Sequence, residues 1–421
     1  MRNSMQKIVS FFLLGISLLL LFLSMTDRLS YALQSFPPYC NIKTSLLAND
    51  KTLTGADYSI LSKKKHPDGM YARAYCLLDA DSKRTLLGSN ENQQMPMAST
   101  TKIMTCILAL ENGKMDSKVK VSSYAASMPD VQLNMQAGDT FYLKDLLYSL
   151  MLESHNDTAA AIAEHLGGTV EGFAELMNQK AERLGCTDTN FVTPNGLDDK
   201  NHYTTAKELC IIASYAIQNA DFLKIIQTPS HQFSNCKGTR SYAVNNHDAF
   251  LTRYPGAIGI KTGFTGNAGY CFCGAAKRDG KTLVTSVLAC GWPPNKGYKW
   301  VDTKKLMDYG FANFQTVTID KQKTPKTLPI VGGTSAAMPL CRTSYKKVSL
   351  MLCQDDTVTL KINLPETLTA PVRQGDIVGY EEYYLNDELI YQFPLTAKKT
   401  VPKRDLSYYQ NILRKLFLFS L

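Results

Sequence analysis

The stretch that decides the fold is residues 256–291, GAIGIKTGFTGNAGYCFCGAAKRDGKTLVTSVLACG. Its β-branched and aromatic runs read as strand, turn, strand, hairpin, strand. Asp279-Gly280 signals a tight hairpin, and a two-residue loop there sets Cys273 opposite Ser286 and Cys271 opposite Leu288. Upstream, residues 72–89, ARAYCLLDADSKRTLLGS, form a second hairpin turning at Asp81-Ser82-Lys83. Between the two lies a helical region. From Ser99 the positions Ile103, Met104, Ile107 and Leu108 recur at helical spacing, Leu110 widens the apolar surface, and Gly113 stops it. Helical patterns follow over 143–152 and 156–166, with Ser154 and His155 at their junction. Residues 170–220 are again mostly helical, apart from the loop FVTPNGLDDKNHYTT at 191–205. Sheet, helices, sheet is an α+β order.

Past Thr316 the composition shifts to short strand patterns such as TVTLKINLP and IVGYEEYYLNDELIYQFPL, with Pro and Gly between them. This predicts a small all-β domain of roughly eighty residues, within the ordinary domain range. The expected organisation is a catalytic domain over 69–315, preceded by a segment at 33–68, and a β-rich domain over 316–397. No solenoid repeat is visible.

Both ends are distinctive. Arg2 and Lys7 precede an apolar run over 8–25, and Ser30 and Ala32 follow it at the small-residue positions of a secretory signal cleaved after Ala32. The run is also long enough for an uncleaved membrane anchor. Either way the rest of the chain is exported. The tail, 398–421, places Tyr409, Ile412, Leu413 and Leu416 on one helical face and Gln410, Asn411, Arg414 and Lys415 on the other. Phe417, Leu418, Phe419 and Leu421 make its last turn apolar all round, with Lys398, Lys399, Lys403 and Arg404 upstream. That pattern favours a helix lying in a membrane surface over one docked on its own domain.

At 421 residues, 44% apolar, the chain has material for a large core, and its length favours two domains. A net charge of +9 is thinly spread, clustering only at Lys63, Lys64 and Lys65, which speaks against nucleic-acid binding. Eleven cysteines in an exported chain raise the prospect of disulfides. The hairpin register brings no two of them together, and Cys106 and Cys210 sit inside apolar helical patterns, so most read as small buried hydrophobes. No cysteine or histidine spacing completes a metal site.

Chemistry enters at residues 97–106, MASTTKIMTC. A serine hydroxyl needs a base within hydrogen-bond reach, and Lys102 lies three residues from Ser99 along a helix, a spacing that brings side chains together. Burial and a second cation would turn that lysine into a neutral base. Alone, the pattern is weak. Ser154-His155-Asn156, at a junction between helices, can point a hydroxyl and an amide into a cleft. Lys261-Thr262-Gly263, ending a strand, can line the facing wall with a cation, a hydroxyl and a closely approaching backbone. Together they make the Ser-x-x-Lys, Ser-x-Asn, Lys-Thr-Gly set.

From about Ala72 to the C-terminus the chain resembles the low-molecular-weight penicillin-binding proteins that act as serine D-alanyl-D-alanine carboxypeptidases. The resemblance rests on ASTTKIMT, LMLESHNDTAAAIAEHL, FVTPNGLDDKNHYTTAKEL, GIKTGFTGNAGYCF and, in the small domain, LTAPVRQGDIVG. It implies a β-lactamase/transpeptidase-like α+β domain, then a small all-β domain and an amphipathic anchor. By this resemblance Ser99 attacks the penultimate D-alanine carbonyl and Lys102 takes its proton. Ser154 relays a proton to the departing D-alanine, while Asn156 binds the substrate amide and contacts Lys102. Lys261 supplies positive field, and Thr262 and Thr265 offer hydroxyls to the substrate carboxylate. Gly263 belongs to the same wall, and the oxyanion lies between the N–H groups of Ser99 and Phe264, donors worth roughly 3–4 kcal/mol each. The middle residue His155 stands where relatives often carry Gly.

The implied partners are a peptidoglycan stem peptide, β-lactam antibiotics as covalent inhibitors, and a membrane surface. No cofactor is implied. His202 and Asp198 invite a Ser-His-Asp reading, but loop packing suits them better, because Lys102 already supplies a base. His66, His165, His231 and His247 show no ligand spacing. A serine β-lactamase would share Ser99 but has no use for a second β-rich domain and a basic tail. A non-catalytic wall-binding protein would have no need of Ser99, Lys102 and Lys261.

Overall fold

The computed structural model describes residues 51–54, 66–319, 327–342 and 348–418. The signal-like run at 1–32, nearly all of 33–68, the Lys63–Lys65 cluster and the last three residues lie outside the described ones. Five strands build the central sheet: β1 (Ala74–Asp79), β2 (Thr85–Ser89), β3 (Ala257–Thr265), β4 (Gly269–Arg278) and β5 (Lys281–Leu288). Their order is β2-β1-β5-β4-β3, antiparallel throughout. Cys273 faces Ser286 across the hairpin, as the Asp279-Gly280 turn requires.

Alternation sets the layers. Ala74, Cys76 and Leu78 point into one hydrophobic cluster, and Tyr75 and Leu77 into another on the opposite face. A sheet covered on both faces reads in sequence as a continuous apolar run, which β1 is. One face is covered by α1 (Lys102–Asn112), α2 (Leu143–Tyr148), α3 (Asn156–Gly167), α4 (Val170–Arg183), α5 (Ala206–Ala216) and α6 (Ala220–Gln227). Thr169, Thr205 and Asn219 cap three of these by accepting backbone N–H groups of their first turns. The other face is covered by α7 (Tyr298–Asn313), where a Cβ at Gly310 would meet Leu283 and Leu77 at 2.6 and 2.8 Å. A larger residue there would have to push both leucine side chains aside.

The chain forms two compact units. The large one holds the sheet just described. Its composition changes near Thr316, but strand Val348–Leu352 pairs with Gln315–Ile319, and residues 349–355 belong with the large unit. The small unit is a seven-stranded sheet in the order Lys51–Thr54, Thr357–Asn363, Ile377–Leu385, Glu388–Ala397, Ala337–Arg342, Thr327–Val331, Leu368–Thr369. Its core includes Met338, Ile362, Leu364 and Leu395. The expected α+β domain followed by an all-β domain is what the two units show.

The C-terminal helix, α8 (Leu406–Leu418), belongs to the small unit. Asp405 opens it, its carboxylate accepting Tyr408 N–H at 2.9 Å and Ser407 Oγ–H at 2.7 Å. Leu406, Ile412, Leu416 and Phe417 are all exposed. No single helix among the described residues is long and apolar enough to cross a membrane. The ten described cysteines are all free thiols, eight of them buried.

Candidate active site

Ser99 sits in a 3₁₀ turn, Ala98–Thr101, that runs directly into α1. Two glycines hold this turn. A Cβ at Gly263 on β3 would lie 2.9 Å from Ser99 N, and one at Gly196 would lie 2.0 Å from Ala98 O. The nucleophile turn is thus gripped between a strand and the 191–205 loop by bare backbone.

Lys102 opens α1 and is fully buried. Its Nζ is 2.9 Å from Ser99 Oγ, 2.8 Å from Asn156 Oδ1 and 2.7 Å from the Asn195 carbonyl. The Asn156 amide is oriented unambiguously, because its Nδ2 donates to the carbonyls of Pro129 and Asp130 at 3.0 and 3.1 Å. Its oxygen must therefore face Lys102. A neutral amine has two N–H donors and one lone pair. Asn156 Oδ1 and Asn195 O, which can only accept, take both donors and leave the lone pair toward the Ser99 hydroxyl. Burial, and after it the Lys261 cation, push the Lys102 amine well below its usual range, against the opposing charge of Asp157.

Ser154 ends a five-residue π-turn, Ser149–Glu153, in a left-handed conformation with φ 71°. Its Oγ is buried and has no hydrogen-bond partner among the described residues. His155 fastens the loop from below. Its Nδ1 is 2.8 Å from Ser149 Oγ, which is 2.9 Å from Thr158 Oγ1, and its Nε2 is 3.3 Å from Glu153 Oε2. Burial lowers the His155 pKa. A neutral ring that donates from Nε2 to the carboxylate and accepts at Nδ1 from the Ser149 hydroxyl satisfies every member of this chain.

Lys261, on β3, is buried and donates to the Thr262 carbonyl at 3.1 Å, and burial brings its pKa down to about 8. β3 is the edge of the sheet. Opposite Phe264 stands Tyr270, whose N–H and C=O are both bonded to the far side, to Gly291 O and from Cys290 N. Phe264 and Tyr270 are therefore a non-hydrogen-bonded pair, and the Phe264 N–H points out from the sheet edge. Two residues back, Thr262 presents its backbone the same way.

A cleft of about 470 Å³ opens here, with Ser99, Ser154, Thr262, Gly263 and Phe264 on its walls. Sequence reasoning missed several of its other residues: Val131, Glu153, His247, Tyr270, Lys299 and Trp300. Lys299 is nearly fully buried, with its Nζ 4.7 Å from the Tyr270 ring, and burial lowers its pKa to about 8. These residues come from five separate segments and carry no spacing pattern that could have flagged them. Thr265 is the one expected site residue whose hydroxyl is committed elsewhere. It donates to Asp198 Oδ1 at 2.7 Å and accepts Ala268 N–H at 3.0 Å, so it ties the 191–205 loop to β3 and has no proton to offer a substrate.

His202 and Asp198 do not meet in a relay. His202 Nδ1 accepts Val192 N–H at 3.0 Å and its Nε2 lies 2.8 Å from Thr101 Oγ1, so the ring packs the loop onto the nucleophile turn. Among the described residues no group of three or more His, Cys, Asp or Glu could hold a metal ion.

Residues 61–290 match the family described as D-alanyl-D-alanine carboxypeptidase, and 314–403 match the C-terminal domain of penicillin-binding protein 5. The D-alanyl-D-alanine carboxypeptidase DacF of Bacillus subtilis is 28% identical over 341 residues, 79% of this chain and 86% of its own. The D-alanyl-D-alanine carboxypeptidase DacA of Haemophilus influenzae is 30% identical over 335 residues, 76% of this chain and 82% of its own. The crystal structure of penicillin binding protein 5 from Haemophilus influenzae superposes with a TM-score of 0.67 at 26% identity, covering 81% of this chain and all of that one. With the nucleophile turn, the Ser154 loop and the β3 edge arranged around one cleft, these matches place the chain in the D-alanyl-D-alanine carboxypeptidase family of serine peptidases.

Proposed function

We propose that the chain removes the terminal D-alanine of peptidoglycan stem peptides through an ester on Ser99. The observation that carries this reading is the buried Lys102 amine, whose two donors are taken by acceptor-only oxygens and whose third direction faces Ser99 Oγ at 2.9 Å. In acylation, the Ser99 proton passes to Lys102 Nζ while Oγ bonds to the carbonyl carbon. The oxyanion lies between the N–H groups of Ser99 and Phe264. The C–N bond then breaks, and Ser154, whose hydroxyl is uncommitted, relays a proton from Lys102 to the departing amine. Lys261, Thr262 and Lys299 hold the carboxylate of the leaving D-alanine, and Asn156 holds the substrate amide. Water repeats the sequence on the ester, releasing the shortened peptide and restoring Ser99. A β-lactam ring presents the same carbonyl and carboxylate, and its opened form stays tethered after the C–N bond breaks, so it acylates Ser99 persistently.

Residues 1–32 would direct export, and the basic 398–405 stretch with the exposed apolar residues of α8 supports attachment to the outer face of the cytoplasmic membrane. Mass spectrometry tests the chemistry. Wild-type protein with penicillin gains one adduct, on Ser99, and with a D-alanyl-D-alanine peptide it releases D-alanine; Ser99→Ala does neither while keeping its fold. Fast turnover of penicillin would instead favour a β-lactamase, and an adduct that persists in Ser99→Ala would overturn the assignment.

A further inference from the structure

Asp248 carries a carboxylate that the chemistry above does not use. It is 8% exposed. Its Oδ1 accepts Phe250 N–H at 2.9 Å, and its own N–H donates to Asn246 Oδ1 at 3.0 Å. Asn246 is pinned in turn, donating to the carbonyls of Ile226 and Thr228 at 2.7 and 3.1 Å. The residue is thus fixed from both sides, yet Oδ2 is buried with no hydrogen-bond partner among the described residues. Such an atom is costly unless nearby charge compensates it.

Burial pushes the Asp248 carboxyl up to about 6, and the cations that oppose this are Lys261 on β3 and Lys299 on α7. Gly259 has φ +133°, and a Cβ there would lie 3.7 Å from Asp248 Oδ2, at the register shift between Ala257 and Gly259. Gly259 and Lys261 are two apart on one strand, so they face the same side about 6.6 Å from each other. Asp248 therefore lies under the strand, on the side from which Lys261 faces Lys102. The titratable groups that feel it are Lys261 from β3, Lys299 from α7 and Cys273 from β4; α6 contributes the apolar Ile226, and His247 adjoins it in the chain.

We propose that Asp248 is a positioning residue of the carboxypeptidase: its carboxylate, set beneath Gly259, keeps Lys261 charged, and so keeps Lys102 in the form that takes the Ser99 proton. This rests on the assignment of Lys102 as base. Burial pulls Lys261 toward neutrality and Asp248 is the charge that opposes it. Without the carboxylate, Lys261 loses its proton at lower pH. The substrate carboxylate then loses a cation, and Lys102 loses the neighbour that helps keep it neutral.

The test is the pH profile of the full chain carrying Asp248→Asn, which keeps the side-chain shape and an oxygen for Phe250 N–H. Both kcat/KM on a D-alanyl-D-alanine peptide and the rate of penicillin acylation are followed from mildly acidic to alkaline pH. The alkaline limb should move to lower pH, with about a tenfold loss on that side for each unit of movement, while rates at mildly acidic pH stay near wild type. In a Lys261→Arg background, whose guanidinium does not titrate, the same change should move the limb much less, since only Lys299 then feels the missing carboxylate. Superimposable profiles, an equal loss at every pH, or the same movement in the Lys261→Arg background would overturn the proposal. Should Asp248→Asn fail to fold, Asp248→Ser, which can still cap Phe250, replaces it; failure of both would make the carboxylate a requirement of the fold and defeat the proposal equally. A missing wild-type adduct on Ser99 would defeat the parent reading, whereas an adduct with an unmoved limb defeats only this one.

Discussion

On the proposed mechanism Lys102 must accept a proton, and two features strip it of one first: it is wholly buried and it faces another cation. The carbonyl oxygens that take its N–H groups do not help in this, but they aim its lone pair at Ser99. Lys102→Arg keeps charge and bulk but has no neutral form in proteins. Acylation by penicillin should fall by about 10²–10⁴-fold, the usual contribution of a general base; a rate near wild type would place the base elsewhere. The pH dependence has a definite sign. As pH falls, Lys102 regains its proton and the base is lost; as pH rises through about 8, Lys261 loses its charge and substrate binding weakens. A bell-shaped kcat/KM profile should result. Ser99, Lys102, Ser154, Asn156 and Lys261 were legible in the sequence because their motifs have fixed spacing. Lys299 and Asp248 were not, since each matters only through a neighbour that the fold brings to it from a distant part of the chain. The Asn195 carbonyl was invisible for a different reason, being backbone that any residue supplies.

Among elements, the 3₁₀ turn bearing Ser99 depends on what presses against it. Gly196 has φ +87°, and a Cβ there would lie 2.4 Å from Ala98 C and 2.9 Å from Ser99 N. Gly196→Ala therefore combines left-handed strain with a clash on backbone that cannot give way, costing roughly 2–6 kcal/mol. Urea unfolding would read that loss, and penicillin labelling of the folded fraction would fall with it; unchanged stability would show that the loop does not grip the turn. The sequence had marked Gly263 as a point of close approach, but gave no sign that Gly196 does the same from the other side. Strand order within residues 256–291 was legible down to the pairing of Cys273 with Ser286, because a two-residue hairpin leaves one register. The π-turn before Ser154 was not legible. Nothing in SLMLE distinguishes i→i+5 from ordinary helical spacing; the left-handed Ser154 is held by the His155–Glu153 contact and the surrounding packing.

For the whole molecule, the α+β core and the β-rich second unit follow from patterns that run the length of the chain. The return of residues 349–355 to the large unit does not, because a short apolar strand looks the same whichever sheet receives it. The tail belongs to this scale too. Leu406, Ile412, Leu416 and Phe417 remain exposed on α8, and a lipid interface would cover them at roughly 0.8 kcal/mol per methylene-sized group, with about 1 kcal/mol more for each basic residue on an anionic surface. A chain running from Leu33 to Leu421 should sediment with anionic liposomes and be partly released by high salt. A chain ending at Asp405 should stay in solution and keep its activity on a small peptide. Equal sedimentation of the two would move membrane attachment to the N-terminal segment.

The open side of β3 has a consequence beyond catalysis. An unpaired strand edge is a template on which any extended chain can add itself, and proteins usually hide or charge such edges. Here the edge borders the cleft, and on the proposed function the substrate lies along it. Protection comes from the cleft itself, which Ser99 and Ser154 line together with Thr262, Gly263 and Phe264. On that reading the cleft that admits a peptide is also what keeps another sheet off the edge, and widening it for bulkier substrates would expose the protein to aggregation along β3.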